Sequence, residues 1–496
     1  MAATQDTNVI RRLGVMEAYH AGLHAGRYLI NNSLTCRYQI PSHLAGPDAA
    51  DKLRQAMLTA VALTVMEQPS LQVGTARIGT KKPVYVVLQS MDLSNHIEWR
   101  TLGFSDDHEQ EFLDFLLQAL DTQFLNPDTC PPWRIIVLQR PSSPTTLEVV
   151  FLWDHVTTDG MGATIFHHTL LHNLNDPSAP APSQLAGTVL DVSGSRHHFP
   201  PAMEKMVKYK IATRHLLAEV YNEYRPKSST SKLLTHASWA PFRPDLPFKT
   251  GLRLLNIDDA TVGNLLRSCR THGASITALI HAVCLASFTA ELSQQQAPGF
   301  RAGTAINMRQ VTPPHPAKHP WLEPNKVMAN VVCSTTHNFA PALVDQIRGR
   351  LAAKLDEKAA AEDLVWSAAA TVKKEMAAYV KTGVRDNIIA AMKYQPDWLA
   401  HFKDLFKQPR ELSWLVTNLG ALDGGDEADD RWSMDKAFMA LSGNKTSAAL
   451  ELAVASTKGK ELCIAACWPT GAYDDALAHR LMDGVRDWLM YLGRTV

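Results

Sequence analysis

Thr146–Leu174 reads TLEVVFLWDHVTTDGMGATIFHHTLLHNL, and a change of period inside it decides the fold. Leu147, Val149, Phe151 and Trp153 alternate with Glu148, Val150, Leu152 and Asp154. A period of two marks a strand, and apolar residues in both sets predict burial on both faces. After Gly160 the spacing changes. Met161, Ile165, Phe166, Leu170, Leu171 and Leu174 recur at helical intervals, which predicts a helix. Between strand and helix lies His155-Val-Thr-Thr-Asp159-Gly160, a polar corner at the end of a buried strand. Ligands and catalytic groups gather at such corners.

His155 is a candidate proton carrier. A neutral imidazole with a near-neutral pKa can take a proton from a hydroxyl and return it to a leaving group. Its second ring nitrogen must then be fixed, and the turn at Asp159-Gly160 could hold the ring against backbone. Asp159 could brace the corner by pairing with a cation elsewhere in the fold. The competing reading is a structural histidine in a turn, since short patterns recur by chance. The strand-to-helix setting favours the functional one.

Composition sets the frame. The chain has 496 residues, 46% hydrophobic and 20% charged, which is enough for a large core and predicts two or three domains. Lys plus Arg equals Asp plus Glu at 49 each, so no basic excess points to nucleic acid or an anionic membrane. Seven scattered cysteines fit reduced thiols in a cytoplasmic protein. Cys463 and Cys467 share a strand face and read as small core residues rather than a metal site. The N-terminus has no apolar segment of a signal peptide, and no run nears the roughly 20 apolar residues of a spanning helix. We expect no transmembrane segment, though a peripheral membrane helix stays open.

Along the chain, Val9–Tyr28 reads as an opening helix and Leu34–Ile40 as a strand. Asp48–Glu67 is an amphipathic helix stopped by Pro69. Pro83–Leu88 is a strand and Asp107–Thr122 a helix. Trp133–Gln139 is a strand turned back by Pro141 to Pro144 into the central strand. Alternating strands and helices predict an α/β or α+β fold. Proline-rich Asp176–Pro201 is a crossover, Ala202–Tyr224 a helix, and Arg225–Thr250 a linker. We therefore divide the chain into residues 1–200, a crossover and linker at 201–250, and residues 251–496. The last unit holds strands at Leu252–Ile257, Arg301–Arg309, Val327–Thr336, Trp414–Asn418, Phe438–Leu441, Ala448–Ser456 and Glu461–Trp468. Its helices include Ser275–Leu292, Glu362–Val380, Gly383–Tyr394, Pro396–Phe406 and Asp474–Tyr491.

The His155 motif, after a strand preceded by Pro132-Trp133-Arg134, resembles the acyl-CoA-dependent acyltransferases of the chloramphenicol acetyltransferase-like fold. The branch it resembles is the fungal alcohol acetyltransferases. Arg12-Leu13-Gly14-x-x-Glu17-x-Tyr19, Pro69-Ser70-Leu71, Asn307-Met308-Arg309 and Thr417-Asn418-Leu419-Gly420 follow that branch in order. Thr157 and Thr158 depart from it, filling slots that are often apolar or small in the family; both can hydrogen-bond backbone within a turn.

The resemblance implies two similar sub-domains, each a mixed sheet with flanking helices, and a tunnel at their interface. It implies His155 as the catalytic base, with Asp159, Gly160 and Arg309 in a structural role. Asn418 lies on a strand near the tunnel and is a candidate for holding the site or the oxyanion. The implied activity is O-acylation, most simply acetylation, from acetyl-CoA as co-substrate to a small-molecule alcohol, by a monomer with no bound cofactor. Alternatives are a condensation-like enzyme with a carrier-protein donor or amine acceptor, and a non-catalytic metabolite-binding relative.

Other polar clusters have plainer readings. His167, His168 and His172 lie on one helix without the glutamate of a zinc-protease pattern, so no metal site is expected. His20 and His24 are spaced i, i+4 and read as surface or pocket lining. Lys373, Lys374, Lys381 and Arg385 fit a solvated helix face, with CoA phosphate contact as the alternative. The residues that bind CoA are not legible.

Overall fold

The computed structural model describes residues 8–103, 108–176, 180–194, 197–213, 234–352, 357–426 and 430–494. The strand read from alternation is Ser143–Trp153, and the helix that follows it is Gly160–Leu174. From Val149 to Trp153 every side chain is fully inaccessible. Phe151 stacks on Trp153 and on Phe166, the latter with ring centroids 4.0 Å apart. One face of the motif strand is thereby fixed against the motif helix.

That strand is the middle of a five-stranded sheet. Its order is Ser433–Leu441, Asn32–Gln39, Ser143–Trp153, Trp133–Arg140 and Ile97–Thr101. The first four run antiparallel to their neighbours, and Ile97–Thr101 runs parallel to Trp133–Arg140. A second sheet has six strands, ordered Thr250–Ile257, Leu462–Pro469, Leu450–Thr457, Trp414–Leu422, Phe300–Asn307 and Val332–Phe339. Trp414–Leu422 is parallel to both its neighbours. The fold is α/β, two large mixed sheets with flanking helices, as expected, beside two small three-stranded sheets among the described residues.

Alternation along the second sheet separates two cores. Leu450, Leu452, Val454 and Ile464 pack with the helices Ile276–Glu291 and Asp475–Leu492. Ala453, Ala455, Cys463, Ala465 and Cys467 belong instead to the core of the first half. Their small side chains let the two halves approach closely. Both cysteines are buried and free.

The sheets do not follow one cut along the chain. Ser433–Leu441 comes from residues 251–496, yet it forms an edge of the first half's sheet, paired with Asn32–Gln39. Four expectations need correction. The opening helix is two elements, a strand Val9–Arg12 paired with Val84–Val87, then a helix Val15–Ala25. Glu17 accepts from the Gly14 N–H at 2.5 Å and starts the helix there. The strand expected to run to Arg309 ends at Asn307, whose side chain accepts from the Arg309 N–H and turns the chain into Met308–Val311. The strand expected from Val327 begins at Val332. Of the helix expected over Ala202–Tyr224, the described part holds only Met203–Met206, and 214–224 lies outside the described residues.

Candidate active site

The corner after Trp153 is closed by its own side chains. Asp154 Oδ1 accepts from the Val156 N–H at 2.9 Å, and the Thr157 hydroxyl donates to the Asp154 carbonyl at 3.0 Å. Trp153 Nε1 donates to the Thr158 carbonyl at 3.0 Å. Asp159 then caps the motif helix, its Oδ1 accepting from the Gly162 N–H at 2.8 Å. Its other oxygen accepts from Arg309 Nη1 at 2.6 Å and from the Val331 N–H at 2.8 Å. Arg309 also donates from Nε to the Pro324 carbonyl and from Nη2 to the Ala329 carbonyl. Asp159 and Arg309 are each 2% exposed. The pair joins the two halves and uses both carboxylate oxygens. Gly160 is a point of close approach, because a Cβ there would lie 2.7 Å from Leu419 Cδ2.

His155 is held differently. It is partly exposed, although its Nδ1 is buried and meets no hydrogen-bond partner of good geometry among the described residues. Its carbonyl accepts from Asn330 Nδ2 at 2.7 Å. Its ring lies flat on that of His20, with centroids 3.9 Å apart and planes within 4°. Nε2 makes no hydrogen bond among the described residues, which leaves it as the nitrogen open to a ligand. Burial lowers the pKa of His155 below the ordinary imidazole value, against the opposing pull of Asp159, its own carbonyl and Asp154. The ring is therefore neutral near pH 7.

The opening helix supplies two more imidazoles. His20 is buried, its Nδ1 2.9 Å from both the Met16 carbonyl and Asn330 Nδ2. Burial, and then the neighbouring His155, hold its pKa well below the usual value. His24, one turn on, pairs through Nδ1 with Asp154 Oδ2, and its Nε2 accepts from Gln123 Nε2 at 3.0 Å. Burial works against a charge on His24, but Asp154 outweighs it and raises the pKa. The helix is anchored by Arg11, which grips Glu17 with two bonds of 2.7 and 2.8 Å and donates to the Pro200 carbonyl. The cation serving Glu17 is thus Arg11, and Arg12, read as part of the motif, is exposed.

The remaining candidates have other hydrogen-bond partners. Asn418 Oδ1 accepts from the Gly420 N–H at 2.8 Å and its Nδ2 donates to Thr277 Oγ1 at 3.0 Å, beside an irregularity in the strand. His167 is buried, with Nε2 on the Leu34 carbonyl and Nδ1 on the Tyr38 hydroxyl; burial lowers its pKa to about 3. His168 Nε2 accepts from the Asp423 N–H. Lys373 donates to the Ala274 carbonyl at 3.0 Å, while Lys374, Lys381 and Arg385 are exposed. No group of three or more metal-ligating side chains occurs among the described residues. An open cavity of about 620 Å³, lined by Glu67, Gln72, His197, Trp321 and Lys326 among others, does not include His155.

Sequence reasoning missed Asn330 and the place of His20 and His24. One signal was available for each. Asn330 interrupts the apolar run Val327–Cys333, and a buried amide demands partners. His20 and His24 share a face of a short helix whose start the Arg-Leu-Gly-x-x-Glu pattern marks.

Comparison with known proteins identifies the family. The model of the alcohol acetyltransferase family matches residues 103–470. A probable alcohol acetyltransferase of Fusarium pseudograminearum, FCK4, is 25% identical over 98% of this chain and 96% of its own length. A probable alcohol acetyltransferase of Aspergillus fumigatus, crmB, is 23% identical over 95% of this chain and 97% of its own. Among solved structures, the TRI3 trichothecene 15-O-acetyltransferase of Fusarium sporotrichioides superposes with a TM-score of 0.70 at 12% identity. That match covers 98% of this chain and 95% of TRI3, and it speaks for the fold. With the family model spanning well over half its length, the chain belongs to the alcohol acetyltransferase family.

Proposed function

We propose that the protein transfers an acetyl group from acetyl-CoA to the hydroxyl of a small-molecule alcohol, with His155 as general base in a ternary complex. The observation that carries this reading is the setting of His155, partly exposed at the strand-to-helix corner, with Nδ1 buried and Nε2 without a hydrogen-bond partner among the described residues. The alcohol proton passes to Nε2 as the alcohol oxygen bonds the thioester carbonyl carbon. The tetrahedral intermediate then expels the CoA thiolate, and His155 returns the proton to sulfur. Each proton taken is given back, and no acyl-enzyme is needed. Asp159 takes no proton in this scheme, because Arg309 and two backbone N–H groups occupy its oxygens. Seven free cysteines support a reducing compartment such as the cytoplasm.

The test is thiol release from acetyl-CoA with a panel of alcohols, and mass spectrometry of the esters. His155→Ala should lose roughly 10²–10⁴-fold in kcat/KM, the usual contribution of general base catalysis, with an unchanged melting temperature. Near-normal turnover in that variant would falsify the assignment. Ester formation from an acylated carrier protein but not from acetyl-CoA would move the donor to the carrier class.

A further inference from the structure

We propose that His20 is a second catalytic imidazole, which donates from Nε2–H to the carbonyl oxygen of the bound thioester. The proposal rests on the reading of His155 as the base.

The geometry starts at Asn330. Its Nδ2 carries two hydrogens and has two neighbours, the His155 carbonyl at 2.7 Å and His20 Nδ1 at 2.9 Å. Swapping the amide would set its oxygen against the His155 carbonyl, so this orientation is fixed by the network. One hydrogen then goes to the His155 carbonyl and the other to His20 Nδ1. The Met16 carbonyl, also near Nδ1, already has the His20 backbone N–H as its helical donor, whereas the second Asn330 hydrogen has no other acceptor among the described residues. A His20 ring that accepts at Nδ1 carries its proton at Nε2.

The stack sets the direction of that proton. The rings are parallel within 4° and 3.9 Å apart. His155 has its own carbonyl beside its buried Nδ1, and that carbonyl shares Asn330 with His20 Nδ1. Both Nδ1 atoms therefore lie at the Asn330 end, and both Nε2 atoms at the other. His20 Nε2, like that of His155, has no hydrogen-bond partner among the described residues. Two ring nitrogens, one an acceptor and one a donor, thus face the same side about one stacking distance apart. The alcohol oxygen and the carbonyl oxygen sit on the same carbon in the tetrahedral intermediate. The first gives its proton to His155 while the electron pair of the C=O bond moves onto the second, held by His20 N–H. Collapse re-forms the C=O bond and breaks the C–S bond, and His20 keeps its proton throughout.

The groups facing the pair come from every packed element. Asp154, itself paired with His24, and Asp159 act on His155 from the motif corner, Tyr19 meets the His20 ring edge-on at 5.1 Å on the opening helix, and neutral Asn330 bonds both residues from the second half. Burial and proximity to His155 keep His20 uncharged, and a neutral imidazole can serve as an electrophile.

Three measurements test the proposal. His20→Phe keeps a flat ring without a donor, and His20→Gln keeps an N–H donor without the ring. The proposal expects Phe to lose about 10²–10³-fold in kcat, the usual cost of one oxyanion donor, with KM nearly unchanged, and Gln to recover part of that loss. A packing role predicts the reverse order, and Phe within threefold of the parent chain overturns the proposal. Nitrogen-15 shifts of labelled histidine in the parent protein need no folded variant. The Nε2–H tautomer of His20 across pH 5–8 supports the assignment, and an Nδ1–H tautomer, donating to Met16, overturns it. Full activity in His155→Ala would instead sink the general-base reading, so the two failures are distinct.

Discussion

Burial takes more proton affinity from His155 than Asp159, its own carbonyl and Asp154 restore. The consequence is a pH profile. Catalysis needs the neutral ring, and the acid limb of kcat/KM reports the pKa of the free enzyme. That limb should lie below the ordinary value of 6.5, so more than half of the maximal turnover remains at pH 6.5. Stability moves in the same sense. A histidine with a lowered folded-state pKa binds fewer protons folded than unfolded, so its contribution is lost as pH falls. Circular dichroism at each pH separates the two effects, and an acid limb above 6.5 in folded protein contradicts the assignment. At this scale His155, Asp159 and Arg309 were legible, because one ordered set of short motifs carries them. Asn330 and His20 were not, since their pairing spans 310 residues and leaves no local pattern.

At the scale of elements, the motif helix begins where it does because Asp159 caps it and because its first turn is built from glycine. Gly162 has an ordinary backbone angle, so conformational freedom is not its purpose. A Cβ there would sit 1.8 Å from Thr158 Oγ1 and 3.1 Å from Thr158 Cβ. Thr158 would have to turn away from the Ala329 carbonyl, the same oxygen that holds Arg309 and the Asp159 N–H. Gly162→Ala should gain up to about 1 kcal/mol of helix propensity and lose roughly 1–3 kcal/mol to overpacking, a net destabilisation. Adding Thr158→Ala removes the clashing oxygen and should recover most of the loss. Urea melts of the two single variants and the double one measure this coupling, and strict additivity would refute it. The period change made strand and helix readable in the sequence, whereas the Val9–Arg12 strand was lost in an opening that looks helical throughout. Four residues are too few to show a period, and their partner, Val84–Val87, is remote.

Across the whole molecule the proline-rich zone near residues 176–250 marks two halves, and the sheets respect them apart from one strand. Ser433–Leu441 is the exception, set beside Asn32–Gln39 some 400 residues earlier in the chain. Its apolar residues announce a strand without naming a partner, because sheet pairing is written in long-range packing rather than local composition. With that strand donated, the first half's five-stranded sheet is incomplete without the second half. The Asp159–Arg309 pair and the shared core through Ala453 and Ala465 add to the link. A chain of this length ordinarily unfolds in steps. We expect one transition here. Hydrogen exchange followed by mass spectrometry should show Asn32–Gln39 and Phe300–Asn307 losing protection at the same urea concentration. Arg309→Met should lower that single transition by about 3–5 kcal/mol, since the Asp159 charge is left buried without its cation. If Phe300–Asn307 exchanged while Asn32–Gln39 stayed protected, the halves would be independent and the crossing strand a mere appendage. A lowered transition that stays single would instead locate the stability of both sheets in the seam where the site is built.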